Sequence, residues 1–75
     1  MMPTKKPSVT YEVKAVDGRW IVLRNGLPTG GFGSTLHMAV NGAVGEAKQE
    51  ARSAELKVKV VSVVDAARTT EWESP

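Results

Sequence analysis

The stretch STLHMAVNGAVGEAKQEARSA, residues 34–54, decides how the rest of this chain is read. Leu36, Val40, Ala43, Val44, Ala47, Ala51 and Ala54 recur at steps of three and four, the spacing that lines up one face of an α-helix. His37, Asn41, Glu46, Lys48, Gln49, Glu50, Arg52 and Ser53 fall off that face. Ser34 or Thr35 can cap the first turn, and Gly30, Gly31 and Gly33 loosen the chain just before it. Gly42 and Gly45 lie away from the apolar stripe, in a row with Met38 and Gln49. Each costs roughly 1 kcal/mol against Ala in a helix interior.

Upstream of the helix the period changes from helical to alternating. Val9, Tyr11, Val13 and Ala15 point one way and Thr10, Glu12 and Lys14 the other, the pattern of a half-buried strand. Asp17-Gly18 follows, a strong signal for a type I′ hairpin turn, in which both central residues take positive φ. The second strand runs from Arg19 to Arg24 and ends at Asn25-Gly26. A two-residue turn sets Ala15 opposite Trp20 and Val13 opposite Val22, so Trp20 and Val22 face the helix. Residues 27–33, LPTGGFG, read as a flexible loop with Phe32 packed under the first helical turn. A glycine-rich loop before a helix can cradle phosphate, but this one lacks the Lys-Ser/Thr ending of a Walker loop.

Downstream, residues 56–64 (LKVKVVSVV) form a third strand, rich in β-branched residues. Leu56, Val58, Val60, Ser62 and Val64 share one face; Lys57, Lys59, Val61 and Val63 share the other. Residues 65–75 are polar around Trp72, and a helical turn capped by Asp65, a short strand and a tail all fit them.

These pieces predict an α+β, two-layer ββαβ fold: a three-stranded, mainly antiparallel sheet in the order 2-1-3 with one helix on one face. Residues 1–7 read as a disordered lead-in, residues 8–64 as a single domain, and residues 65–75 as a segment packed on the outer sheet face. At 75 residues the chain holds one small core. It has no cysteine, which excludes disulfides and thiolate metal sites and fits a reducing cytoplasm. No apolar run approaches the roughly 20 residues that span a bilayer. The beginning, MMPTKKPSV, has no apolar core of a secretory signal.

The chemistry-bearing residues do not gather into a site. His37 is the lone histidine, without a second ligand or a carboxylate partner. Asp17 and Asp65 have turn or cap roles. Glu46 and Glu50, one helical turn apart with Lys48 and Arg52 among them, read as a solvated helix face. The chain therefore reads as a non-enzyme with no cofactor, metal or membrane partner.

What stands out is the face of the sheet away from the helix. Val16, Ile21, Leu23, Val61 and Val63 point there, where a two-layer protein exposed to water would carry polar residues. Either Trp72 and its segment or a second copy of the chain would cover it. Ile21, Leu23, Val61, Val63 and Trp72 are thus the candidate interaction surface of a small protein-interaction domain, expected to be homodimeric or to bind a protein partner. The alternative is weak nucleic-acid binding through Lys14, Lys57 and Lys59. The net charge of only +2 weighs against it, and so does the register, which sends Tyr11 and Trp20 to the opposite face from those lysines.

The run Gly18-Arg-Trp20-Ile-Val22, with Gly26, Phe32, Ser34-Thr35, an Ala-spaced helix and Glu55-Leu56-Lys57-Val58, resembles a family of short bacterial domains of unknown function. That resemblance implies a ββαβ fold and points to no particular function. The run from Tyr11 to Ala51, with Thr35, Ala39, Ala43, Ala47 and Ala51 at helical spacing, also resembles the N-terminal domain of HicB-type antitoxins. That second likeness implies a partner-binding protein that oligomerises. The chain lacks the Lys-x-Glu-Ala helix start of the first family and the separate DNA-binding tail of the second.

Overall fold

A computed structural model describes residues 8–54 and 56–75; the expected lead-in, residues 1–7, lies outside them. The elements in chain order are β1 (Ser8–Val16), β2 (Arg19–Arg24), β3 (Leu27–Gly33), α1 (Leu36–Ser53), β4 (Lys57–Val64) and β5 (Ala67–Glu73). All five strands belong to one mixed sheet in the order β3-β2-β1-β4-β5, with α1 across one face. This overturns the expected three-stranded sheet of order 2-1-3.

The correction has two local causes. Asn25-Gly26 does not simply end β2: with φ of 49° and 85° it is a second two-residue hairpin turn, and it leads into β3. Asp65-Ala66, with φ of 49° and 68°, is a third, leading into β5. The residues read as a loop and as a terminal segment are therefore the two edge strands. Adding β3 before the helix also reverses the direction in which the chain re-enters the sheet. As a result β4 runs parallel to β1, whereas the other three neighbouring pairs are antiparallel.

β3 is strand despite its glycines because side-chain bonds repair its ladder. Thr29, Gly30 and Gly31 together oppose Val22. Across this bulge the Thr29 hydroxyl donates to the Val22 carbonyl (3.1 Å) and accepts from the Gly31 N–H (3.0 Å). Pro28 is tolerated at a sheet edge. The side chain of Asn25 pins the second turn by accepting from the Thr10 N–H at 2.9 Å.

The core lies between α1 and the sheet. Val13, Val58 and Val60 are its largest fully buried side chains, with Val9, Tyr11 and Val22 around them. Ala39, Ala43 and Ala47 are the buried residues of the helix, while Leu36, Val40, Val44 and Ala51 flank them, partly buried. The buried stripe is thus an all-alanine i, i+4 row, rotated from the broader stripe read in the sequence. Alanines bring the helix backbone close to the sheet, and Gly33 shows how close. A Cβ there would lie 2.8 Å from the Ala39 nitrogen. Thr35 caps the helix, its hydroxyl accepting from the Met38 N–H at 3.2 Å.

Two aromatic placements also differ from expectation. Phe32 lies opposite Ile21 on the outer face and is 67% exposed, not under the helix. Trp72 pairs with Val60 on the helix side and packs at the margin of the core. It does not cover the outer face.

Candidate interaction surface

Strand alternation sends two rows of side chains through the outer face, and the sheet register aligns them. One row reads Pro28, Leu23, Glu12, Val61 and Thr70 from β3 to β5; the next reads Phe32, Ile21, Lys14, Val63 and Arg68. Four of the five residues read as the interaction surface, Ile21, Leu23, Val61 and Val63, therefore share this face. Trp72 is the exception, because β5 carries it on the helix side.

The two apolar halves of the face differ in cover. Arg68 reaches over β4 from β5 and donates through Nη1 to Glu12 Oε2 at 2.7 Å. Its stem lies across the β4 half, where Val61 is buried while Val63 remains half-buried. On the β2–β3 side Phe32 stands out beside half-buried Ile21, with the Arg19 guanidinium 5.4 Å from its ring centroid. A groove of about 200 Å³ runs there between Ile21, Pro28, Gly30 and Phe32. Val16, 38% exposed, extends the patch toward the first turn. Phe32 and Pro28 were missing from the sequence reading of this face. The signal that would have placed them is Asn25-Gly26, a hairpin dipeptide as strong as Asp17-Gly18.

The cations are not grouped as a nucleic-acid stripe requires. Lys14 stands in the middle of the apolar rows, whereas Lys57 and Lys59 lie near the start of β4, with Glu73 opposite Lys59. Arg24 is on the other face altogether. The aromatics Tyr11, Trp20 and Trp72 pack on the helix side, so only Phe32 shares the lysines' face.

The helix side holds one polar constellation, and it is a clamp. Tyr11 donates its hydroxyl to Glu50 Oε1 at 2.6 Å. Arg24 donates through Nε to the same oxygen at 3.1 Å and through Nη2 to Oε2, a two-pronged pair. Three elements, β1, β2 and α1, are tied at one point. Arg24 and Tyr11 together hold the Glu50 carboxyl below the usual carboxylate range, the Arg24 hydrogen bond contributing most. Burial, and then the bond to Glu50, push the Tyr11 hydroxyl up to about 12. The same carboxylate raises the already high pKa of Arg24. Glu50 is therefore not part of a solvated helix face. Its carboxylate is taken up by the Tyr11 hydroxyl and the Arg24 guanidinium.

His37 is exposed in the first turn of α1, with Nε2 3.2 Å from the Asn41 side-chain nitrogen. Among the described residues no group of three or more His, Asp or Glu could hold a metal ion. No helix among them is long and apolar enough to cross a membrane. Comparison with protein-family models, with curated proteins and with solved structures found no match.

Proposed function

We propose that this chain is a small, non-enzymatic cytoplasmic interaction domain that works as a homodimer through its outer sheet face. The observation that supports this is the face itself. Ile21 and Phe32 on the β2–β3 side and Val63 on β4 flank Lys14 as apolar patches, with Val16 beyond them, on a sheet with a helix on its other side only. Antiparallel two-layer folds ordinarily present polar residues to water there, and contiguous exposed apolar patches mark contact surfaces.

The size is adequate. Five strands about 4.8 Å apart and seven or so residues long give a footprint on the order of 600 Å². Specific interfaces bury about 600–1,000 Å² per partner. A 75-residue chain holds only one small core, so covering the outer face also adds stability.

Sedimentation equilibrium from about 5 to 500 μM tests the reading, since weak dimers dissociate in the micromolar range. The expected result is a concentration-dependent dimer that Ile21→Glu converts to monomer. A wild-type chain that stays monomeric throughout refutes it.

A further inference from the structure

We propose that two copies pack outer face on outer face about a two-fold axis that crosses the strands between the row of Glu12 and the row of Lys14. This rests on the dimer reading above and specifies its geometry and its polar contacts.

The register carries the argument. A two-fold axis of a face-to-face dimer lies in the plane between the sheets. If it crosses the strands between these two rows, each residue of one row stands over its neighbour in the other row. Leu23 then meets the partner's Ile21, Val61 the partner's Val63, Pro28 the partner's Phe32, and Glu12 the partner's Lys14. Apolar falls on apolar, and acid on base, at every central position. The other natural choice, an axis running along β1, would lay Glu12 over Glu12 and Lys14 over Lys14. That arrangement is disfavoured by like-charge contact in a desolvated interface.

Two further observations fit the first axis. Lys14 is half-buried in the centre of the apolar face and has no ion-pair partner among the described residues. Glu12 gives Oε2 to Arg68, and no hydrogen bond to its Oε1 is formed by the described residues. Closing the dimer supplies the missing partner for both, twice over by symmetry. Aligned sheets cross at about 30°, so the match is closest on β1 at the centre and loosens toward β3 and β5. The central ion pairs then fix the register of an otherwise greasy and slippery contact, and bar the like-charged alternative.

The test is a charge swap on the full chain, read by sedimentation equilibrium. Lys14→Glu and Glu12→Lys each bring like charges together, and each should raise the dimer Kd at least about tenfold. Mixing the two variants should restore association as a heterodimer, because both central contacts across the seam are then acid on base, although one chain has lost its Arg68–Glu12 pair. The doubly swapped chain, Glu12→Lys with Lys14→Glu, restores acid on base across the seam at the cost of the Arg68–Glu12 pair, so it should dimerise more tightly than either single variant. Thermal melts of dilute protein check folding, and among the described residues the Lys14 side chain makes no hydrogen bond or ion pair for Lys14→Glu to remove. A wild-type dimer whose Kd is unchanged by Lys14→Glu overturns the geometry while leaving the dimer reading intact. A mixture no tighter than its parts overturns it equally. A wild-type chain that is monomeric throughout removes both.

Discussion

The third hairpin turn contains a residue that its position does not suit, and replacing it tests whether β5 is a strand at all. Asp17-Gly18, Asn25-Gly26 and Asp65-Ala66 are turns of one type, with first-position φ of 51°, 49° and 49°. Their second positions hold φ of 79°, 85° and 68°. Glycine takes that conformation freely, but Ala66 brings a Cβ against the following carbonyl, at about 1–2 kcal/mol. Ala66→Gly removes that cost and adds about 0.5–1 kcal/mol of backbone entropy lost on folding. The net expectation is a gain of about 0.5–1 kcal/mol. For a domain of this size that is a rise in Tm of about 2–8 °C. The reverse change at the matching position, Gly18→Ala, should lower stability by a similar amount. Differential scanning calorimetry of both variants, at one fixed concentration, reads the pair. If Ala66→Gly destabilises the protein while Gly18→Ala behaves as stated, the third turn is not the one described, and β5 does not pair with β4 through it.

Glycines inside the core layer and outside it should respond with opposite sign. Cβ atoms at Gly42 and Gly45 would meet nothing within 4 Å, so each change to Ala should stabilise by about 0.8–1 kcal/mol. Gly33→Ala, which drives a Cβ to 2.8 Å from helix backbone, should cost about 1–3 kcal/mol; denaturant midpoints with matching slopes would show the order, and a stabilising Gly33→Ala would contradict the close helix–sheet approach. The Tyr11–Arg24–Glu50 clamp predicts two pH limits. Glu50 has a folded pKa below its ordinary 4.5, so its contribution is complete above 4.5 and is lost as pH falls through the lower folded value. Tyr11, raised from 10.0 to about 12, contributes fully below 10 and loses that contribution as pH rises toward 12. Tyr11 is the chain's single tyrosine, so ultraviolet titration should show one ionisation near 12. Glu50→Gln should lower it while leaving it above 10, since burial is the larger cause; a wild-type midpoint at 10 would mean that Tyr11 is neither buried nor bonded to Glu50 in solution.

Local periodicity was enough for the parts of this protein whose partners are close in sequence. The helix, the β1–β2 hairpin and its register, and the facing of Ile21, Leu23, Val61 and Val63 follow from spacings of two, three and four residues and one turn dipeptide. These are rules about a single element, and the side chains record them. The edge strands are different. LPTGGFG has the composition of a loop and ARTTEWE shows no apolar alternation. What makes them strands is the row of backbone donors and acceptors that β2 and β4 offer, which no side-chain pattern reports. Missing β3 also hid the direction of β4, because each added strand reverses the chain once. The clamp was equally hidden: Glu50 lies 26 residues from Arg24 and 39 from Tyr11, and a charge on a helix reads as solvated until the sheet brings its partners. Trp72 went to the helix side for the same kind of reason. A bulge puts Glu71 between the pairs Val60–Trp72 and Val61–Thr70, and that register, set only when β5 docks on β4, decides which face receives the indole.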